Sequence, residues 1–279
     1  MPRGKNAQIA VDLFLGTLAN RGWDSAADAW RGIATTLLTC ELWASKREGY
    51  IPFHDTIVHR EANNFVISPE GEPNQTIQAS RRLGAYLAEQ INVPIEDICA
   101  TIGTFYRVPA IRVMQPNNPM GHAFRSLGAA FLERFGDGGI TYDEEVSART
   151  LFPGIQLPGA SPRASIDIVA RRGDTIVALI SAKWRYRHDR VEFIEEFNRY
   201  VMAARRTNGN CALYLITGEL SAARLHKALD ASPPASPYGP LSATVHFQPD
   251  LVTRGLGANG RTVHLKSFEW LAAETRSWR

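Results

Sequence analysis

The sequence predicts an α/β protein in which a mixed β-sheet is flanked by helices and preceded by a mainly helical N-terminal region. Much of residues 1–115 repeats apolar side chains at the helical period. An alternating run and a second β-rich run flank a polar turn within residues 165–183, which is typical of a hairpin. A continuous apolar run at 211–217 then indicates a buried central strand. We therefore expect a second domain, residues 116–279, built around the sheet.

The composition is that of a protein with a large hydrophobic core. Its 279 residues are 44% hydrophobic and carry a net charge of +3, which permits a polyanionic partner without requiring one. Neither a signal-peptide core nor a membrane-length apolar run is found, so a cytoplasmic location is expected. Cys40, Cys99 and Cys211 lie far apart within apolar stretches, which favours reduced core thiols over disulfides or a zinc site.

Two helices are predicted at the N-terminus. The first ends near Gly22, where the apolar repeat stops. Asp24 or Ser25 is the predicted N-cap of the second, which runs through Trp43.

The segment 49–74 is punctuated by prolines and Gly71, and a polar loop is the favoured interpretation. His54, Asp55 and His59 suggest the alternative of an HNH-type metal site. The strand, turn, helix and second histidine that such a site needs do not follow in the sequence.

Residues 76–114 have the pattern of a small helical unit. A break at Val93 and Pro94 separates two helical repeats, and the stretch 87–94 resembles the turn of a helix-turn-helix. Four arginines add positive charge nearby: Arg81, Arg82, Arg107 and Arg112. Both a DNA-contacting role and a plain accessory or dimerisation role remain open for this region.

The second domain begins with an amphipathic helix, predicted over Gly121 to Phe135. Further elements are predicted in this order: a strand at 141–149, a glycine- and proline-rich loop at 154–160, a helix at 221–231, strands at 243–247 and 261–265, and a closing helix capped by Ser267 and running through Trp270.

The hairpin places chemically useful side chains together. Its strands are predicted at 165–170 and 175–183. Successive side chains alternate between the two faces of a strand. Asp167 therefore points away from its apolar neighbours, and Ser181 and Lys183 share one face of the return strand. An acidic side chain and a lysine can meet on one side of this hairpin.

A cationic and aromatic run, residues 184–190, follows the hairpin, and a helix is predicted from about 191 to about 206. An apolar arc on that helix is formed by Phe193, Ile194, Phe197, Tyr200, Val201 and Ala204. Glu195 lies almost opposite the arc, whereas Glu196 lies at its edge and can reach back over the sheet. Glu196 is therefore the favoured inward carboxylate.

Asp167, the Ser181-x-Lys183 triplet and a glutamate on the next helix together resemble the catalytic core of PD-(D/E)XK nucleases. In particular, they resemble type II restriction endonucleases whose sites contain CCGG or CCNGG. In that branch a serine or alanine replaces the usual acid before the lysine, and the next helix supplies the missing carboxylate. Glu196, thirteen residues after Lys183, matches that position.

The resemblance implies a Mg²⁺ ion held by Asp167, by Glu196 and by the backbone carbonyl of Ala182. Lys183 would orient the attacking water and hold the scissile phosphate, and Ser181 would bond a metal-bound water. Nucleases of this type often carry a supporting glutamate on the helix before the sheet, and Glu133 is the candidate here.

The resemblance also implies base reading directly after the lysine, where Arg187, Asp189 and Arg190 look like the expected triplet. Arginine donates two hydrogen bonds to guanine O6 and N7, and aspartate accepts one from cytosine N4. These residues would therefore read neighbouring G·C pairs. Arg185 and Arg163 are expected at phosphates. His188 is either a base or backbone contact or a packed or solvated histidine.

On this interpretation residues 116–279 are a nuclease catalytic domain acting on a short G·C-centred palindrome in double-stranded DNA. A two-fold DNA site implies a homodimer or a higher homo-oligomer. A cognate methyltransferase would act on the same DNA site without having to bind this protein. Three alternatives remain: a structural Asp167–Lys183 salt bridge, a non-catalytic helix-turn-helix DNA-binding protein, and a PD-(D/E)XK nuclease of repair or mobile-element type.

Overall fold

The chain divides into two compact units, and a computed structural model describes most of each. The units are Arg3–Leu127 and Gly128–Arg279, the latter with the first two residues. The structure describes residues 5–44, 57–61, 64–68, 75–94, 97, 119–155, 164–185, 200, 203–204, 211–220, 224–225, 243–253 and 265–279.

The first unit contains helices and one small sheet. Its described elements are α1 (Lys5–Arg21), α2 (Ala29–Ala44), β1 (Ile57–Glu61), β2 (Asn64–Ser68) and α3 (Gln75–Ile91). The predicted N-terminal helices are confirmed, and they form because apolar side chains such as Phe14 and Ile33 are fully buried at helical spacing. Between α2 and α3 the rings of Trp30 and Tyr86 lie 5.5 Å apart. Ser25 Oγ accepts the Asp28 amide in the turn that leads into α2.

One prediction for this unit is wrong. The segment interpreted as a polar loop contains β1 and β2, which pair antiparallel with Val58 opposite Ile67. The β-branched and aromatic residues in these two short runs favour strands, and the flanking prolines and glycine obscured that signal. The second helix of the helix-turn-helix pattern lies outside the described residues, apart from Asp97.

The second unit is built on a six-stranded sheet in the order β3-β4-β5-β6-β7-β8. Helix α4 (Pro119–Phe135) crosses the boundary between the two units and belongs to this one from Gly128 onward. The elements that follow are β3 (Thr141–Ser147), α5 (Ala148–Leu151), β4 (Ser165–Arg172), β5 (Thr175–Lys183), β6 (Ala212–Thr217), β7 (Ala243–His246), α6 (Asp250–Thr253), β8 (Lys266–Ser267) and α7 (Phe268–Glu274). Strands β3 to β5 are antiparallel, and β5 to β8 are parallel. The predicted α/β class with a mixed sheet flanked by helices is confirmed.

The predicted hairpin is present as β4 and β5, with Ile168 opposite Ile180. Strand β4 continues to Arg172, two residues beyond the predicted end. Gly173 closes the turn at a φ of 59°, a left-handed conformation that glycine adopts without strain. The register of the β4–β5 pair shifts between Ala170 and Arg171.

Each face of the sheet packs on different elements. One apolar cluster joins Val169, Leu179 and Leu213 to Tyr200 and Ala204, which belong to the helix predicted at 191–206. On the opposite face, a Cβ at Gly128 of α4 would touch the side chains of Ile168 and Ile216. Tyr214 on that face stacks on Trp278. By strand alternation, Asp167, Ser181 and Lys183 share the first face with Val169 and Leu179.

The C-terminal elements follow the predictions with shifted boundaries. Ser267 Oγ accepts the Trp270 amide at 3.1 Å, which confirms the predicted cap of the closing helix. The predicted strand at 261–265 lies mostly outside the described residues, Leu265 is not in a strand, and β8 is Lys266–Ser267. The strand predicted at 141–149 ends at Ser147, because helix α5 begins at the next residue.

The cysteine and membrane predictions have partial answers. Cys211 is a buried, reduced thiol, as expected. The side chains of Cys40 and Cys99 lie outside the described part of the chain. Among the helices that the structure describes, none is long and apolar enough to cross a membrane.

Candidate functional site

The candidate site lies where β4 begins and β5 ends. Asp167 is the third residue of β4, and Lys183 is the last residue of β5. Because the two strands are antiparallel, these positions lie at the same edge of the sheet. The parallel strands β6 and β7 end at this edge too, and the carboxyl ends of strands are where α/β sheets commonly bind ligands.

One oxygen of Asp167 collects three hydrogen bonds. Its Oδ2 accepts from the Ala182 amide at 2.9 Å, from Ser181 Oγ at 3.2 Å and from Lys183 Nζ at 3.3 Å. No donor in the described part of the chain bonds Oδ1. These three bonds hold the carboxylate in one orientation through Oδ2.

The exposure of the three side chains fits a site that a ligand can reach. The Lys183 side chain is 35% exposed and that of Asp167 is 24% exposed, while Ser181 is buried. An ion pair that solvent reaches in this way contributes roughly 0 to 1 kcal/mol to stability. Stability alone is therefore a weak reason for pairing these charges here.

The turn after β6 bonds directly to the end of β5. Thr217 pairs with Lys183 on one side and with His246 on the other. The Gly218 amide donates to the Lys183 carbonyl at 3.2 Å. The Glu219 amide donates back to Thr217 Oγ1 at 3.1 Å, which keeps the turn tight.

His246 closes this edge from β7 and is fully buried. Its Nδ1 accepts the Gln248 amide at 3.0 Å, so the ring hydrogen must lie on Nε2, which then donates to the Glu219 carbonyl at 3.2 Å. Burial lowers the pKa of His246 to about 4, so the ring is neutral at pH 7. The sequence analysis missed this residue, because one histidine at the end of an apolar strand carries no motif.

Trp184 and Arg185 continue the chain beyond Lys183. Trp184 is buried and its ring lies 6.2 Å from that of Phe247. A Cβ at Gly218 would collide with the Trp184 ring, so only glycine fits beneath it. The Arg185 guanidinium lies over the same indole at 5.5 Å, an arrangement in which the ring attracts the cation.

Most of the other predicted site residues lie outside the described residues: Arg163, Arg187, His188, Asp189, Arg190, Glu195 and Glu196. Within the part that is described, no group of three or more acidic, histidine or cysteine side chains is close enough to hold a metal ion. Glu133 is exposed near the end of α4, and this helix packs on the face opposite Asp167. The structure does not bring Glu133 to the site.

Comparisons with known proteins assign no function to this site. No family model, curated protein or solved structure matches this chain.

Proposed function

We propose that this protein is a type II restriction endonuclease that makes Mg²⁺-dependent double-strand cuts at a short G·C-centred palindrome with a CCGG-like or CCNGG-like core. The observation that carries the proposal is the joining of Asp167, Ser181 and Lys183 on one face at a sheet edge. These are three of the residues on which the motif resemblance depends.

The oxygens around Asp167 fit a hard divalent cation. Asp167 Oδ1 has no donor among the described residues, and Mg²⁺ prefers carboxylate, carbonyl and water oxygens. The N–H and C=O of one strand residue point to the same side. Since the Ala182 amide points at Asp167, the Ala182 carbonyl lies on that side as well. A bound Mg²⁺ would polarise the phosphate and lower the pKa of water.

Lys183 and Ser181 have separate roles in this proposal. Lys183 Nζ is partly exposed beside Asp167, where it can hold a phosphate oxygen and orient the attacking water. Ser181 is buried and donates to Asp167, so it fixes the carboxylate. The proposed Ser181 bond to a metal-bound water is additional to that contact.

The helical carboxylate is proposed to be Glu196, and the packing around Tyr200 supports this. Tyr200 and Ala204 lie in the apolar cluster on the sheet face that also carries Asp167. Glu196 precedes Tyr200 by four residues, which is about one helical turn.

DNA recognition is proposed for the segment that leaves the sheet after Lys183. Arg187, Asp189 and Arg190 would read G·C pairs, with each good pair adding about 1 to 3 kcal/mol of discrimination. Arg185, already stacked on Trp184, is suited to a phosphate. The further proposed contacts are Arg163 and His188. A palindromic target would be bound by a homodimer or a higher homo-oligomer.

The test is digestion of unmethylated phage DNA by the purified full-length protein with Mg²⁺. We expect discrete bands that EDTA abolishes and that Lys183→Ala reduces by about 10² to 10⁴-fold. Lys266→Ala is the matched control, because it removes the same charge from β8, three strands away from β5. It should cut like the unchanged protein.

Other outcomes would replace the proposal. Intact DNA that still shifts on a gel, even with Lys183→Ala, would indicate a non-catalytic DNA-binding protein. Metal-dependent cutting confined to ends, branched structures or modified DNA would indicate a repair or mobile-element nuclease. Cutting by Lys183→Ala at the unchanged rate would refute the assigned site.

A further inference from the structure

A buried set of contacts joins the ends of β5, β6 and β7 next to the candidate site. We call it the edge clamp and define it as Thr217, Gly218, Glu219 and His246. All of these except Gly218 are at least 95% buried. None of the four can touch a DNA substrate directly without rearrangement of the edge, yet the clamp bonds to the residue that carries the proposed catalytic amine.

The hydrogen bonds of the clamp form one continuous path. The Gln248 amide fixes the His246 ring through Nδ1, and the ring holds the Glu219 carbonyl through Nε2. Glu219 is tied back to Thr217 Oγ1. The Gly218 amide, inside this turn, donates to the Lys183 carbonyl at 3.2 Å.

Side-chain packing follows the same path. The His246 and Phe247 rings stack at 4.9 Å, and Phe247 packs on Trp184. Trp184 covers Gly218 so closely that a Cβ there would collide with the indole. Both residues that flank the Lys183–Trp184 peptide bond are therefore tied to the clamp, one by a hydrogen bond and the other by its ring.

We infer that His246 is a positioning residue for Lys183: through the Glu219 carbonyl it holds the turn whose Gly218 amide anchors the end of β5. The inference rests on the proposed hydrolysis, because it assigns His246 a role in placing the amine of that same site.

The physical reason is the position of Lys183 at the end of its strand. Lys183 is the last residue of β5, so the residues before it are held by strand pairing and the residue after it is not. Its side chain has four rotatable bonds, and a shift of the backbone is passed on to Nζ. A misplacement of about 1 Å at a reacting group can lower the rate by about 10²-fold.

Two substitutions test the hydrogen bonds of the two imidazole nitrogens separately. His246→Gln places an amide near the position of Nε2 and keeps a donor for Glu219, whereas His246→Asn keeps only an acceptor near Nδ1 for Gln248. Each loses one of the two hydrogen bonds, so they form a matched pair. Only His246→Asn should release the turn.

A signal from the Lys183 carbonyl can be observed without measuring activity. Lys183–Trp184 is the only lysine–tryptophan pair in the sequence. The full chain labelled with ¹³C′-lysine and ¹⁵N-tryptophan therefore gives a single HNCO peak, which joins the Lys183 carbonyl to the Trp184 amide. This peak responds directly to the hydrogen bond from Gly218.

We expect His246→Asn to move this peak and His246→Gln to leave it in place. In DNA cleavage, kcat should fall about tenfold or more for His246→Asn and stay within about twofold for His246→Gln, with KM unchanged in both. A merely structural histidine would lower the melting temperature in both variants and leave kcat per folded molecule unchanged.

The outcomes separate this inference from the proposed function. Equal peak positions for both variants, or equal effects on kcat, overturn the positioning role. If the unchanged protein cuts no DNA while the peak still moves only in His246→Asn, the placement of Lys183 by His246 stands and the nuclease proposal fails. Should His246→Asn not fold, Thr217→Val, which removes the acceptor for the Glu219 amide, is expected to move the same peak.

Discussion

Replacement of Asp167 separates a structural carboxylate from a functional one. Asp167→Ala removes the acceptor of three donors, of which the Ala182 amide is the closest at 2.9 Å. Loss of a hydrogen bond to a charged acceptor costs about 1.5 to 3 kcal/mol. The partly exposed ion pair with Lys183 adds at most about 1 kcal/mol. We therefore expect the free energy of unfolding to fall by about 1.5 to 4 kcal/mol.

Asp167→Asn should cost much less, because the amide oxygen can still accept from the Ala182 amide. Only the charge-dependent part is lost, about 1 kcal/mol or less. Asp174→Asn is the control: it removes the same charge from the exposed turn of the same hairpin and should change stability by less than about 0.5 kcal/mol. Both substitutions of Asp167 should nevertheless abolish metal-dependent cleavage.

Urea unfolding at pH 7 measures the stabilities, and digestion of unmethylated DNA measures activity at concentrations where each variant is folded. Retained cleavage by Asp167→Asn would refute the role of Asp167 as a metal ligand. A cost for Asp167→Ala no larger than for Asp174→Asn would refute the hydrogen-bond reasoning. Loss of stability without any change in cleavage would show that Asp167 and Lys183 form a structural salt bridge rather than a catalytic pair.

Two further predictions concern the edge clamp and its surroundings. Gly218→Ala should lower the free energy of unfolding by about 1 to 3 kcal/mol, because the added Cβ collides with Trp184. Gly16→Ala, on the open face of α1, should raise it by about 0.5 to 1 kcal/mol. Urea unfolding measures both, and an unchanged stability for Gly218→Ala would contradict the packing of Trp184 on Gly218. His246 has a folded-state pKa of about 4 against 6.5 for the free ring, so the unfolded chain binds more protons between those values, and stability should fall by up to about 3 kcal/mol from pH 7 to pH 4. The share of this pH dependence that is due to His246 should be absent from His246→Gln in unfolding experiments across that range. An identical dependence of stability on pH for the two proteins would exclude the contribution of His246.

The local sequence pattern was sufficient to predict an element whose structure depends only on residues within its own segment. The β4–β5 hairpin follows from two β-rich runs on either side of a glycine turn, and the cap at Ser267 follows from a hydroxyl placed before an apolar helical repeat. Because alternation also sets which side chains share a face, the meeting of Asp167 with Lys183 was predictable from the sequence. The β1–β2 hairpin was missed because two five-residue strands give a weaker signal than the turn residues around them.

Only the tertiary structure decided which strand ends lie side by side. The parallel order of β5, β6 and β7 brings Gly218 and His246 to Lys183, although they are 35 and 63 residues away in the chain. Nothing in the local sequence of His246 distinguishes it from an ordinary core histidine, since its importance comes from partners on other strands. Sequence alone thus determined the chemical groups of the candidate site, and long-range strand pairing determined what holds them in place, because hydrogen bonds between distant segments exist only once the sheet has formed.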